Sequence, residues 1–156
     1  MATAPPRRTQ TAARRRPAPA DAGLHGVGEL LAWLAGIVLL LSPFMSWYSI
    51  SGDLRGTLSV TGWNSGALGK LVFFLGLAVV VLLALRAIGV ELPSAAPVGL
   101  LIAVLGAVAT VIVIWRLISI PERFEPAVSR SIGIWLSLLA ALLLIAAGLI
   151  RSADEA

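Results

Sequence analysis

The sequence predicts an all-α fold, a four-helix transmembrane bundle carrying a small β-hairpin in its first outer loop. Three observations predict it. Four apolar runs, at about 28–46, 67–87, 97–118 and 131–150, each approach the roughly 20 helical residues that cross a ~30 Å hydrocarbon core. Charged residues are 13% of the 156-residue chain against 58% hydrophobic ones, and almost no charge falls inside the runs. Four such helices in a row would have no polar faces to meet water, as a soluble bundle must. The expected organisation is a tail over 1–24, a four-span domain over 25–151 and a short C-terminal tail over 152–156.

The tail is Ala, Pro, Thr and Arg, with Arg7-Arg8 and Arg14-Arg15-Arg16 set among Pro5, Pro6, Pro17 and Pro19. It has no hydrophobic periodicity, so burial cannot offset its ordering entropy, and the expectation is disorder. A cleaved export signal is the competing reading of a basic stretch before an apolar one. Against it, the run is long, the residues near Ser46 to Ser51 lack a convincing cleavage pattern, and no hydrophobic residues follow the twin arginines. The first helix is therefore read as uncleaved.

Ser42-Pro43 should kink or stop the first span near its outer end. The longest connection follows, from Ser46 to Gly66. Ile50-Ser51-Gly52-Asp53 is a turn signal and Thr57 to Thr61 alternates with period two, which predicts a hairpin with Gly52 or Gly56 at its turn. Two strands alone are marginal in water, so the hairpin must rest on the helices or the lipid. Glu91-Leu92-Pro93 and Pro97 punctuate the inner turn, and Pro121 and Pro126 the second outer loop.

Orientation follows from the basic residues. With the N-terminus in the cytoplasm, the inside collects Arg7, Arg8, Arg14, Arg15, Arg16, Arg86 and Arg151. The outside holds Arg55, Lys70, Arg116, Arg123 and Arg130, so the bias favours both termini in the cytoplasm of a plasma (inner) membrane.

Small residues recur every four positions: Gly28, Ala32 and Gly36 in the first span, Gly99, Ala103 and Ala107 in the third, Gly133, Ser137 and Ala141 in the fourth. Gly76 and Ala84 share a face of the second. Such stripes let backbones approach, either within the bundle, the favoured reading, or between copies in a homo-oligomer. Trp33, Trp47, Tyr48, Trp63, Trp115 and Trp135 fall near span ends, as interfacial belts do, with Trp33 and Trp135 far enough inside to pack between helices.

Little here points to chemistry. The chain has no cysteine and one histidine, His25, read as a solvated linker residue, so thiolate sites, histidine triads and multi-histidine metal sites are excluded. Glu29 is expected at the start of its helix, where the dipole favours a carboxylate without any proton-coupled role. Lys70, Arg86, Arg116 and Arg151 sit at span ends, where their stems can snorkel. Ser42, Thr110 and Ser137 are the main hydroxyls at depth and can bond their own helix carbonyls. A carboxylate site built from Asp53, Glu122 and Glu125 has no supporting pattern.

Two interaction features remain. Five tail arginines, Arg7, Arg8, Arg14, Arg15 and Arg16, gain roughly 1 kcal/mol each near an anionic leaflet, unless they serve only to set topology. Phosphate on Thr9 or Thr11, beside Arg7-Arg8, would cancel much of that attraction. Trp47, Tyr48 and Trp63 are the candidate lipid- or partner-contacting side chains of the outer loop.

Ser42-Pro43-Phe44-Met45-Ser46-Trp47-Tyr48-Ser49, Thr61-Gly62-Trp63 and Ile132-Gly133-Ile134-Trp135-Leu136 together resemble a group of uncharacterised small four-span membrane proteins of actinobacteria. The resemblance runs from about Gly28 to Arg151, rests mostly on hydrophobic pattern, and implies topology but no activity. A looser similarity to claudin-type proteins lies in the order of Trp47 and Gly62-Trp63, but the paired cysteines of that family are missing here, and no barrier function is carried over. The expectation is a non-enzymatic integral membrane protein without cofactors, in contact with lipids, anionic ones included, and with a membrane protein partner or its own copy. It is not expected to bind nucleic acid. The alternative is a small transporter or channel subunit.

Overall fold

The computed structural model describes residues 19–52, 56–90, 97–119 and 128–155. Helix α1 spans Pro19–Leu41 and ends in a single 3₁₀ turn, Ser42–Phe44. Strands β1 (Ser46–Gly52) and β2 (Gly56–Thr61) follow, then helices α2 (Ala67–Ala87) and α3 (Val98–Ile118), strand β3 (Val128–Arg130) and helix α4 (Ile132–Glu155). Among the described residues, four helices are long and apolar enough to cross a membrane, over Gly26–Phe44, Ala67–Ala87, Val98–Ile118 and Ile132–Ala153. The chain is a multi-pass integral membrane protein with an all-α bundle and a small sheet.

Both terminal helices overrun the expected spans. Pro19 to Leu24, expected in the disordered tail, are helical. A proline is compatible with the first turn, where no intrahelical N–H bond is lost, and Ala20 and Ala22 are strong helix formers. α4 likewise continues through Ser152 to Glu155, where a tail was expected. The start and stop of α2 and α3 agree with the expected spans within a residue.

α4 packs against α1 and α3, and α2 completes the ring against both. The core is built from alanines (Ala32, Ala35, Ala109, Ala140) with Leu39, Val79, Ile102 and Leu144 between them. Larger apolar side chains, such as Leu34, Phe74, Val111 and Leu139, are turned outward. Small inside and bulky outside is the arrangement lipid permits, because hydrocarbon solvates the exterior while close packing holds the helices.

The sheet differs from the expected hairpin. Its order is β2-β1-β3, all antiparallel, so the connection between α3 and α4 donates a third strand to the first loop. Ser49 Oγ and Ser129 Oγ lie 2.7 Å apart across that new pairing, and Ser131 N–H donates to Trp47 O at 2.8 Å just beyond it. With three strands anchored on the bundle, the marginality of a lone hairpin no longer applies.

Candidate functional site

Two regions collect the residues that could carry function: the cap formed by the sheet, and the opposite end, where α1 begins and α4 ends.

At the cap, β1 pairs Ser46 with Thr61 but Tyr48 with Val60, which leaves Trp47 as the extra residue of a β-bulge. Neighbours along a strand normally point to opposite faces. The bulge breaks that alternation, and Trp47 and Tyr48 are both 0% exposed. This corrects the expectation that they form a lipid- or partner-contacting surface. The Trp47 indole donates from Nε1 to Ser42 O at 3.0 Å. The Tyr48 hydroxyl donates to Arg116 O at 2.9 Å.

Arg116 is drawn into the same cap. At 8% exposed it does not snorkel, as a residue near the end of α3 was expected to do. Its Nη2 donates to Ser65 O against Gly66, where a Cβ would lie 2.7 Å from Nη2 and where a φ of 126° also disfavours any side chain. Arg130 adds a second tie, its Nε donating to Leu117 O at 2.8 Å. One arginine thus fastens the end of α3 to the entry of α2, while the phenol of β1 fastens to the arginine's own carbonyl.

Burial raises the Tyr48 phenol above its ordinary value of 10.0, opposed by the nearby positive charges of Arg116 and Arg130. A folded-state value above the unfolded one means the neutral phenol stabilises the fold. That stabilisation is complete below pH 10.0 and is lost as pH rises through the folded-state value. Tyr48→Phe is expected to cost about 1 kcal/mol at neutral pH, by leaving Arg116 O without its donor. It should also flatten the alkaline fall in melting temperature above about pH 10, with Tyr48 ionisation read directly because the chain has 1 tyrosine.

Trp63 alone of the three loop aromatics reaches the rim. It stacks on Phe44 with centroids 5.5 Å apart, meets Phe73 edge-on at 5.4 Å, and carries the Lys70 ammonium 5.6 Å from its ring centroid. Half-buried rings with a basic residue beside them suit a headgroup boundary. Trp115, 61% exposed, and Trp135 also face outward, so Trp135 does not pack between helices; Trp33 does pack against the core.

The small-residue stripes are occupied within the chain, except at Ala107, which is exposed. A Cβ on Gly36 would meet Val79 of α2 at 3.1 Å, and one on Gly76 would meet the Leu40 backbone of α1 at 2.6 Å. One on Gly99 would strike the Gly148 carbonyl oxygen of α4 at 2.7 Å, and one on Gly148 the Ala103 nitrogen at 2.5 Å. Gly133 lies against the Ser46 carbonyl oxygen and the Trp47 ring. Gly28 faces Ile150 and Arg151, and Ala32 is fully buried. Ser137 is buried too, its hydroxyl donating to Gly133 O at 2.8 Å; Ser42 and Thr110 likewise bond carbonyls of their own helix, as expected.

The remaining candidates scatter. Arg7, Arg8, Arg14, Arg15 and Arg16 lie outside the described residues, as do Asp53, Glu122, Arg123 and Glu125. Glu29 is exposed ten residues beyond the start of α1 at Pro19, so the dipole expected to favour it has decayed by that point. His25 lies within α1 rather than in a linker. Among the described residues, no three His, Cys, Asp or Glu come together to hold a metal ion. Family models, curated proteins and solved structures were all compared with this chain, and none matches.

Proposed function

We propose that this protein is a non-enzymatic component of the plasma (inner) membrane, with both termini cytoplasmic, that works by contacting lipids or membrane protein partners. The observation that supports this reading best is where its polar chemistry lies. Between the two ends the core is alanine and branched aliphatics, and the hydroxyls at depth are engaged by their own helices. A small transporter or channel subunit would need polar side chains facing one another at mid-depth. What the molecule offers instead is an apolar exterior, an aromatic rim around Trp63, and the basic tail.

The tail gives the test. In reconstituted vesicles containing phosphatidylglycerol, a fluorophore on the tail should lie against the bilayer and be released by salt. Replacing Arg7, Arg8, Arg14, Arg15 and Arg16 with Gln should release it without salt, since each arginine contributes about 1 kcal/mol at an anionic surface. A tail equally mobile before and after the change would count against the lipid contact, and termini that label from opposite sides would refute the topology.

A further inference from the structure

At the end opposite the cap, one charge is buried where a membrane protein would ordinarily let it reach water. Arg151 is 8% exposed, and its Nη1 is buried with no hydrogen-bond partner among the described residues. Glu29 and Arg86 at the same end are exposed. The Arg151 stem leans on α1: a Cβ on Gly28 would lie 3.6 Å from its Cγ and 3.2 Å from Ile150 Cγ2. The missing side chain at Gly28 is what gives the arginine a seat between α1 and α4.

A guanidinium does not neutralise itself by losing its proton, so a buried one with an idle nitrogen calls for an anion. Depth says which. Arg151 directly follows Ile150, the last residue of the apolar run of α4, and Gly28 stands beside Glu29, after which the apolar run of α1 carries no charge. That is the level at which hydrocarbon gives way to phospholipid phosphates. The flanking positions Val27 and Leu30 on α1 and Leu149 on α4 are exposed and apolar, suited to acyl chains rather than to a soluble ion. The planar donor fork of arginine matches phosphate oxygens.

We propose that Arg151, seated on Gly28 where α1 meets α4, binds the phosphate of an anionic phospholipid in the leaflet beside the chain termini. The inference rests on the lipid-contacting reading above. It differs from the tail's attraction in being a single site with defined geometry, insensitive to salt where the tail is sensitive.

The test uses the full chain in detergent, with native mass spectrometry and thermal unfolding as readouts. Phosphatidylglycerol should bind and raise the melting temperature, phosphatidylcholine should do so less, and inorganic phosphate at the same concentration should not. Arg151→Gln should lower phosphatidylglycerol affinity about tenfold, and Arg151→Lys, which keeps the charge but not the fork, should fall between. Without lipid, Arg151→Gln should melt at or above the parent temperature, because it removes an uncompensated charge. Undiminished binding by Arg151→Gln would overturn the proposal, as would a shift by inorganic phosphate equal to that by lipid. A lower melting temperature of Arg151→Gln before lipid is added would overturn it too, by placing the guanidinium's partner within the chain. If the five-glutamine tail variant loses lipid while Arg151→Gln keeps it, the broader reading stands and the site falls. If neither loses lipid, both fall.

Discussion

Trp47→Ala is expected to destabilise the protein by about 3–5 kcal/mol, the range for deleting a fully buried large aromatic. The indole is held between two glycines: a Cβ on Gly62 would lie 2.5 Å from its Cε2, and one on Gly133 would lie 3.0 Å from its Cδ1. No neighbouring side chain of those two residues exists to collapse into the space. Trp47 belongs to the sheet and lies beyond the Gly26–Phe44 span, so burial removes it from water and the full hydrophobic contribution applies. The loss is a large share of the ~5–15 kcal/mol that a domain commonly has. Unfolding in detergent, followed by the remaining tryptophans, would measure it. Trp115→Ala, at a site 61% exposed, is the control and should change the melt little. Equal effects from the two would mean that Trp47 burial does not hold the cap.

Gly148→Ala should cost about 2–3 kcal/mol by parting α3 from α4. The added Cβ would stand 2.5 Å from Ala103 N, 2.6 Å from Gly99 O and 2.8 Å from Ala103 Cα. All three are backbone atoms and cannot rotate away, so the helices themselves must separate. In lipid their association depends on dispersion across a close seam, and a small separation forfeits much of it. Gly26→Ala supplies the comparison, since a Cβ there meets nothing within 4 Å. It should be neutral or stabilise by up to ~1 kcal/mol through helix propensity. The same exchange thus gives opposite signs at two helical glycines. A melt of Gly148→Ala that matches Gly26→Ala would show that the α3–α4 seam is looser than these distances state.

The helices and their packing faces were legible because both leave long periodic signals. Twenty apolar residues outweigh any local ambiguity, and Gly99 and Ala103 occupy the close approaches that small-residue spacing implies, whereas Gly148, which meets them from α4, stands outside the four-residue stripe of its own helix. β3 left no such signal, since Val128–Arg130 is three residues, too short to show a period, and pairs with a strand far away in sequence. The burial of Trp47 beside Tyr48 was hidden for a related reason. Strict alternation would have exposed one of them, and only the register slip between Ser46 and Tyr48 turns both inward. Arg116 and Arg151 illustrate a third limit. Snorkelling is the default for an arginine at a span end, and what overrides it here is space left by Gly66 and Gly28, glycines distant in sequence from the side chains they admit.

The sheet order has a consequence for biogenesis. β1 precedes α2, whereas its partner β3 emerges only after α3, and Gly133, which closes over the Trp47 ring, belongs to α4. On the ribosome the cap therefore cannot be completed when the first hairpin emerges. Its central strand keeps one edge unpaired until three spans have been inserted, and its tryptophan stays uncovered until the last helix arrives. Translation order makes the membrane-embedded part the template and the cap the final lock.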